Sequence, residues 1–170
     1  MKPWVVANTL LDRAAGYLAD PFLLGIRLHW GWQFFQTGKG KLSDITAPTA
    51  LFTELGIPFP QLNACMAGCT ECLGGLLLLA GLFSRVTCMP LIFTMLVAYG
   101  TAHLDVVKTI WADADSFVSA PPFLFLLASV IVFIFGPGRF SADEMLRRRK
   151  KREIVGINAA VTSPTCISDP

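Results

Sequence analysis

The chain has 170 residues, 54% of them hydrophobic and only 15% charged, with a mean hydropathy of +0.57. Soluble domains average about 25% charged residues, so this composition argues against a water-soluble domain and for a polytopic membrane protein of single-domain length. Five cysteines is an odd number and four lie in or beside apolar segments, which argues against a secreted disulfide framework.

Residues 1–19 read as a cytoplasmic N-terminal segment. Asp12 and Arg13 interrupt the modest apolar run after Lys2, unlike a secretory signal. A first membrane span is expected from about Pro21 to Thr37, with Asp20 as N-cap and Pro21 in the first turn. In the outer loop that follows, Pro48 to Leu55 predicts a short interfacial helix with Leu51, Phe52 and Leu55 apolar and Gly56 as its stop. The second span is Leu62 to Leu82, entered through Pro58 and Pro60. Only four residues, Phe83 to Val86, join it to a third span over Thr87 to Val107, which forces an antiparallel hairpin. The fourth span covers Pro121 to Phe135 and stops at Gly136-Pro137-Gly138. A span needs about 17–25 residues, so the fourth is expected to begin nearer Ser119. Ser141 to Glu144 has capping-box spacing and opens a basic helix, while Ala159 to Pro170 reads as disordered. The expected architecture is all-α: four transmembrane helices over residues 20–140, then a basic helix and tail over residues 141–170.

The net charge of +2 says little, but its distribution sets an orientation. Arg147 to Arg152 is an unbroken basic run after the last span, which places the C-terminus in the cytoplasm. Four spans then place the N-terminus there too, and Arg85 agrees. Asp105, Asp113 and Asp115 belong to an outer loop, and Lys39 and Lys41 dissent. The basic helix reads as a topology signal that touches anionic lipid. Nothing in the spans calls for nucleic acid.

The second span carries the chemistry. A carboxyl at the centre of a lipid-embedded helix costs roughly 2.5–3.5 kcal/mol on insertion scales, so Glu71 implies a partner or a task. At 100° per residue Gly68, Glu71 and Gly75 share a stripe that lets another helix approach closely. Arg27, Gly31, Phe34 and Gly38 line one side of the first span, and His29, Gln33 and Gln36 line the other. From the 1.5 Å rise per residue, Arg27 and Glu71 differ in depth by about 7 Å, within reach of an extended arginine. An Arg27–Glu71 ion pair is therefore expected, either as a catalytic pair or as one that only specifies packing. Cys65, Cys69 and Cys72 form a separate stripe about 100° away, with Cys69 and Cys72 as a C-x-x-C. Buried cysteine usually serves as a small hydrophobe, so packing is their first reading and redox thiol chemistry their second. Cβ atoms three apart on a helix lie about 5–6 Å apart, and a disulfide wants about 3.5–4.5 Å. These thiols with Met66 are soft donors suited to copper(I), which keeps a copper-handling role as an alternative. Neither His29 nor His103 sits at ligand spacing from another histidine, so no metal site is assigned. His103 and Asp105 fall at the outer mouth. The candidate substrate-binding groups are His29, Gln33, Gln36 and His103.

Several segments together resemble one family. They are Arg27-Leu28 through Phe34-Phe35-Gln36-Thr37-Gly38, Lys41-Leu42, Leu55-Gly56-Ile57-Pro58-Phe59-Pro60, Glu71-Cys72-Leu73-Gly74-Gly75-Leu76, Gly81-Leu82-Phe83-Ser84-Arg85, and Gly136 to Asp143. In order and spacing the chain resembles the DoxX family of small four-helix bacterial membrane proteins, related to the small subunit of a thiosulfate:quinone oxidoreductase. The resemblance implies a multi-pass protein of the bacterial cytoplasmic (inner) membrane, acting in a quinone-linked or thiol and sulfur redox system. Quinone is the implied cofactor, and a redox partner protein or a second copy the implied associate. Arg27, Lys41, Glu71 and Arg85 have counterparts in the family pattern, whereas Cys65, Cys69 and Cys72 do not. The alternative function is a non-catalytic assembly or scaffold subunit.

Overall fold

The computed structural model describes residues 3–162, and among them the fold is helical throughout with no strand. Eight helices follow in order: α1 (Pro3–Ser43), α2 (Thr46–Glu54), α3 (Pro60–Ala80), α4 (Ser84–Thr101), α5 (Leu104–Lys108), α6 (Ala114–Ser119), α7 (Pro122–Phe135) and α8 (Ala142–Thr162). α1 packs on α3, α3 on α4, α4 on α7, and α7 returns to α1, which closes a four-helix bundle. Its centre is Phe34, Leu78, Cys88, Leu91, Met95 and Val132. Phe125 meets Phe34 edge-on at 4.7 Å and Trp30 at 5.1 Å.

Glycines set the geometry of the α1–α3 pair. A Cβ on Gly75 would lie 2.7 Å from the Gly31 carbonyl oxygen, and one on Gly38 would overlap the Cys72 amide nitrogen. The two backbones touch, as small residues permit where apolar solvent leaves helix association to packing. The outward surfaces are the reverse of a soluble protein: Leu62, Leu73, Met89, Phe93, Leu124 and Ile134 are all exposed. By length and hydropathy α3 alone suffices to cross a membrane among the described residues. α7 is apolar, but its 14 residues span only about 21 Å of a ~30 Å hydrocarbon core.

Several boundaries differ from the sequence expectation. The first helix does not start at Asp20; it runs unbroken from Pro3 with Pro21 inside it. Pro21 removes one intrahelical bond, and the good helix formers Ala14, Ala15, Leu18 and Ala19 before it carry the helix through. Asp20 instead accepts the Arg139 amide at 3.0 Å. The third expected span ends at Thr101, and its remainder turns away as α5. The fourth does not extend back to Ser119, because extended backbone at Ala120 separates α6 from α7. A short helix forms where the interfacial one was expected, as α2, closed by Gly56 at φ +68° and packed on α3. Ser141 caps the last helix from the expected position, its Oγ accepting the Glu144 N–H at 3.2 Å, while the Glu144 carboxyl accepts from Arg148. The helix it opens continues through Ala159 to Thr162, where disorder was expected; residues 163–170 of that expectation lie outside the described residues.

The seam gives a matched test. Gly38→Ala should lower stability by about 1–3 kcal/mol through overpacking. Gly40→Ala, at an exposed position with nothing within 4 Å of a new Cβ, should gain about 0.5–1 kcal/mol. Thermal unfolding of the two variants in the same detergent checks both.

Candidate functional site

Glu71 lies on the face of α3 that meets α1, with only 1% of its surface exposed. Lys41, near the end of α1, brings Nζ to 2.5 Å from Glu71 Oε1, and its own side chain stays 35% exposed. The long aliphatic stem lets the lysine bridge from the bundle edge to a buried carboxylate. Glu71 Oε2 is buried and has no hydrogen-bond partner among the described residues. The expected Arg27–Glu71 ion pair is therefore not formed. Arg27 lies level with Leu78 and Leu79, seven or eight residues beyond Glu71, or about 10–12 Å along the helix.

Arg27 performs a different task. Its side chain is 1% exposed, and it donates only to main-chain carbonyls: Nε to Leu78 at 3.1 Å, Nη2 to Leu79 at 3.3 Å, and Nη1 to Phe140 at 3.3 Å and to Pro137. Leu78 and Leu79 belong to the last turn of α3, whose carbonyls have no partner within the helix. Gly81 and Leu82 close that end with bonds to Leu78 and Leu77 at 3.1 and 3.0 Å, in the Schellman pattern. Gly81 has φ +68°, and a Cβ there would strike the Arg27 guanidinium. Asp143 completes the assembly by accepting the amides of Phe83 at 2.8 Å and Ser84 at 3.0 Å. Phe83 has φ +48°, a left-handed conformation costing a non-glycine residue of order 1–3 kcal/mol, and Asp143 holds it there.

The other candidate residues are dispersed. Cys65 and Cys69 are exposed free thiols on the outer face of α3 and Cys72 is half-buried, so the packing role expected for the stripe fails for its first two members. Among the described residues the buried cysteine is Cys88, in the bundle centre. Among the described residues no cluster of three potential metal-binding side chains comes together. His29 and Gln36 are exposed on α1, Gln33 is half-buried, and none of them reaches Glu71. His103 lies after α4, its ring edge-on to Tyr99 at 6.2 Å.

In the sequence Lys41 stands out as a charge opposing the topology rule and as a counterpart in the family pattern, but not as the partner of Glu71. Its position continues the stripe 27, 31, 34, 38 at the next step of three, and in an antiparallel pair that register falls opposite Glu71. Asp143 and Ser141 carried a signal as a capping box, but their link to Arg27 depends on tertiary contacts.

Double-mutant cycles separate the two basic residues. Lys41→Met and Glu71→Gln should be coupled by about 0.5–3 kcal/mol, while Arg27→Leu and Glu71→Gln should add within about 0.5 kcal/mol. Unfolding of the purified variants in detergent is the measurement, and strong Arg27–Glu71 coupling would contradict the assignment.

The DoxX family model matches residues 22–104, which contain Arg27, Lys41, Glu71 and Arg85. An uncharacterized membrane protein of Mycobacterium tuberculosis is 30% identical over 139 residues, covering 76% of this chain and 83% of that protein. No solved structure matches. The chain belongs to the DoxX family of membrane proteins.

Proposed function

We propose that the chain is a four-span membrane subunit of a quinone-linked redox system, with Glu71 and Lys41 as its intramembrane polar site. In this reading α1 from about residue 20, α3, α4 and α7 cross the bilayer. The end carrying Arg85, Arg139 and the basic run of α8 faces the cytoplasm, following the basic-residue rule. The pairing of Lys41 with Glu71 removes one of the two charges that opposed this orientation.

The observation that carries the reading is the buried, unpartnered Glu71 Oε2. Glu71 lies eleven residues into α3 from Pro60, about 16 Å deep and near the middle of a ~30 Å core. A carboxylate oxygen there without a donor accepts a proton or the hydrogen bond of a polar headgroup. Lys41 holds the other oxygen, orients the carboxyl, and keeps its own stem at the bundle edge. Together the pair offers one donor and one vacant acceptor to a small apolar molecule with a polar head. A bound quinone would supply two-electron, two-proton chemistry, and protonated Glu71 or Lys41 Nζ would donate to its carbonyl oxygen. Arg27, expected from sequence to share this role, holds the helix ends together instead.

The second reading is a scaffold subunit in which the pair only specifies the α1–α3 register, favoured by its place in the glycine seam. Binding of a short-chain quinone to purified protein in lipid nanodiscs distinguishes the two. The redox reading expects Glu71→Gln to weaken binding at least about tenfold, as for loss of one charge-assisted hydrogen bond. The scaffold reading expects no quinone binding in either protein, and expects Lys41→Met with Glu71→Gln to restore the folding lost by Lys41→Met alone.

A further inference from the structure

A groove of about 700 Å³ opens at the end of the bundle that holds Arg27. Two kinds of surface meet in it. Phe83, Val86 and Phe135 are each more than 60% exposed and continue the outward apolar surface of the helices. Arg85, Arg139 and Arg147 line the groove beside them.

The three carboxylates that also line it are already engaged. Asp143 accepts the Phe83 and Ser84 amides, and Asp20 takes the Arg139 amide and lies 3.6 Å from its guanidinium. Glu144 accepts from Arg148 at 3.0 Å and faces Arg147 at 3.6 Å. The hydrogen bond from Arg148 holds its carboxyl below the usual range. Arg85 has no carboxylate partner among the described residues. Its guanidinium rests over Gly136, where a Cβ would lie 3.6 Å from Nη2, and makes one long bond to the Ile134 carbonyl at 3.5 Å. A planar guanidinium with free donors in a groove walled by apolar side chains fits a phosphate that carries hydrocarbon.

We propose that this groove binds the headgroup of one anionic phospholipid, its phosphate on Arg85 and Arg147 and an acyl chain along Val86 and Phe135. A free phosphate would have no use for the apolar wall, whereas a lipid at the bilayer boundary satisfies both surfaces at once. The basic run of α8 beyond the groove, Arg148 to Arg152, raises the local concentration of anionic lipid without being part of the site. This inference rests on the proposed four-span orientation, which sets the groove at the bilayer boundary, and not on the quinone reading, since it uses neither Glu71 nor Lys41.

Native mass spectrometry of the full chain, released from detergent with equimolar phosphatidylglycerol and phosphatidylcholine, tests it. The wild type should retain one phosphatidylglycerol per chain in preference to phosphatidylcholine, and inorganic phosphate should not displace it. Arg85→Gln with Arg147→Gln should weaken retention by about 10- to 30-fold, from roughly a factor of five per arginine. Lys150→Gln with Lys151→Gln, outside the groove, should leave that lipid bound. Equal retention of the two lipids by the wild type overturns the proposal without any variant. So does displacement by inorganic phosphate, or an equal loss in the Lys150/Lys151 variant, which would mean diffuse charge attraction.

Discussion

One buried arginine ties the bundle together at one end. Helices leave unpaired carbonyls at their C-termini, and in an apolar surrounding each such group is costly. Arg27 reaches from α1 to carbonyls of α3 and of the loop between α7 and α8, so its fixed fork of donors joins α1 to two other chain segments. The α3–α4 turn, the left-handed Phe83 and the start of α8 are then held by Asp143, which bonds the same turn. Removing the guanidinium would leave several carbonyls unsatisfied together, which explains why so rigid a turn can be built from Gly81 to Ser84.

The second constraint is the glycine seam. Contact between the α1 and α3 backbones fixes their register, and the register decides which basic residue meets Glu71. A buried ion pair is seldom a net source of stability, because desolvation offsets most of the Coulombic gain, yet breaking it is costly. Lys41–Glu71 is therefore better understood as a site that the packing tolerates than as the origin of the packing.

The cysteines show how a local pattern can point away from its setting. Cys65, Cys69 and Cys72 lie on one helical stripe as expected, but its first two members face outward. Periodicity locates side chains relative to one another and leaves open which face meets a neighbour. Here the neighbour is chosen by Gly68 and Gly75, whose missing side chains let α1 come close.

Local chemistry determined much of this protein from the chain alone. The apolar segments, the two-helix hairpin around Phe83, the stop at Gly56, the helix cap at Ser141 and the stripe of Arg27, Gly31, Phe34 and Gly38 all depend on neighbours a few residues away. The all-helical fold could be read at that range, and the family from the order and spacing of segments between Arg27 and Asp143. Partner choice could not. Counting from the expected helix starts sets Arg27 within reach of Glu71, whereas the packed helices set it level with Leu78 and Leu79 at the end of α3. Only the tertiary structure paired Glu71 with Lys41 and gave Arg27 to the helix ends. The reason is that two helices in contact have a single relative shift, and side chains far apart in sequence set it jointly.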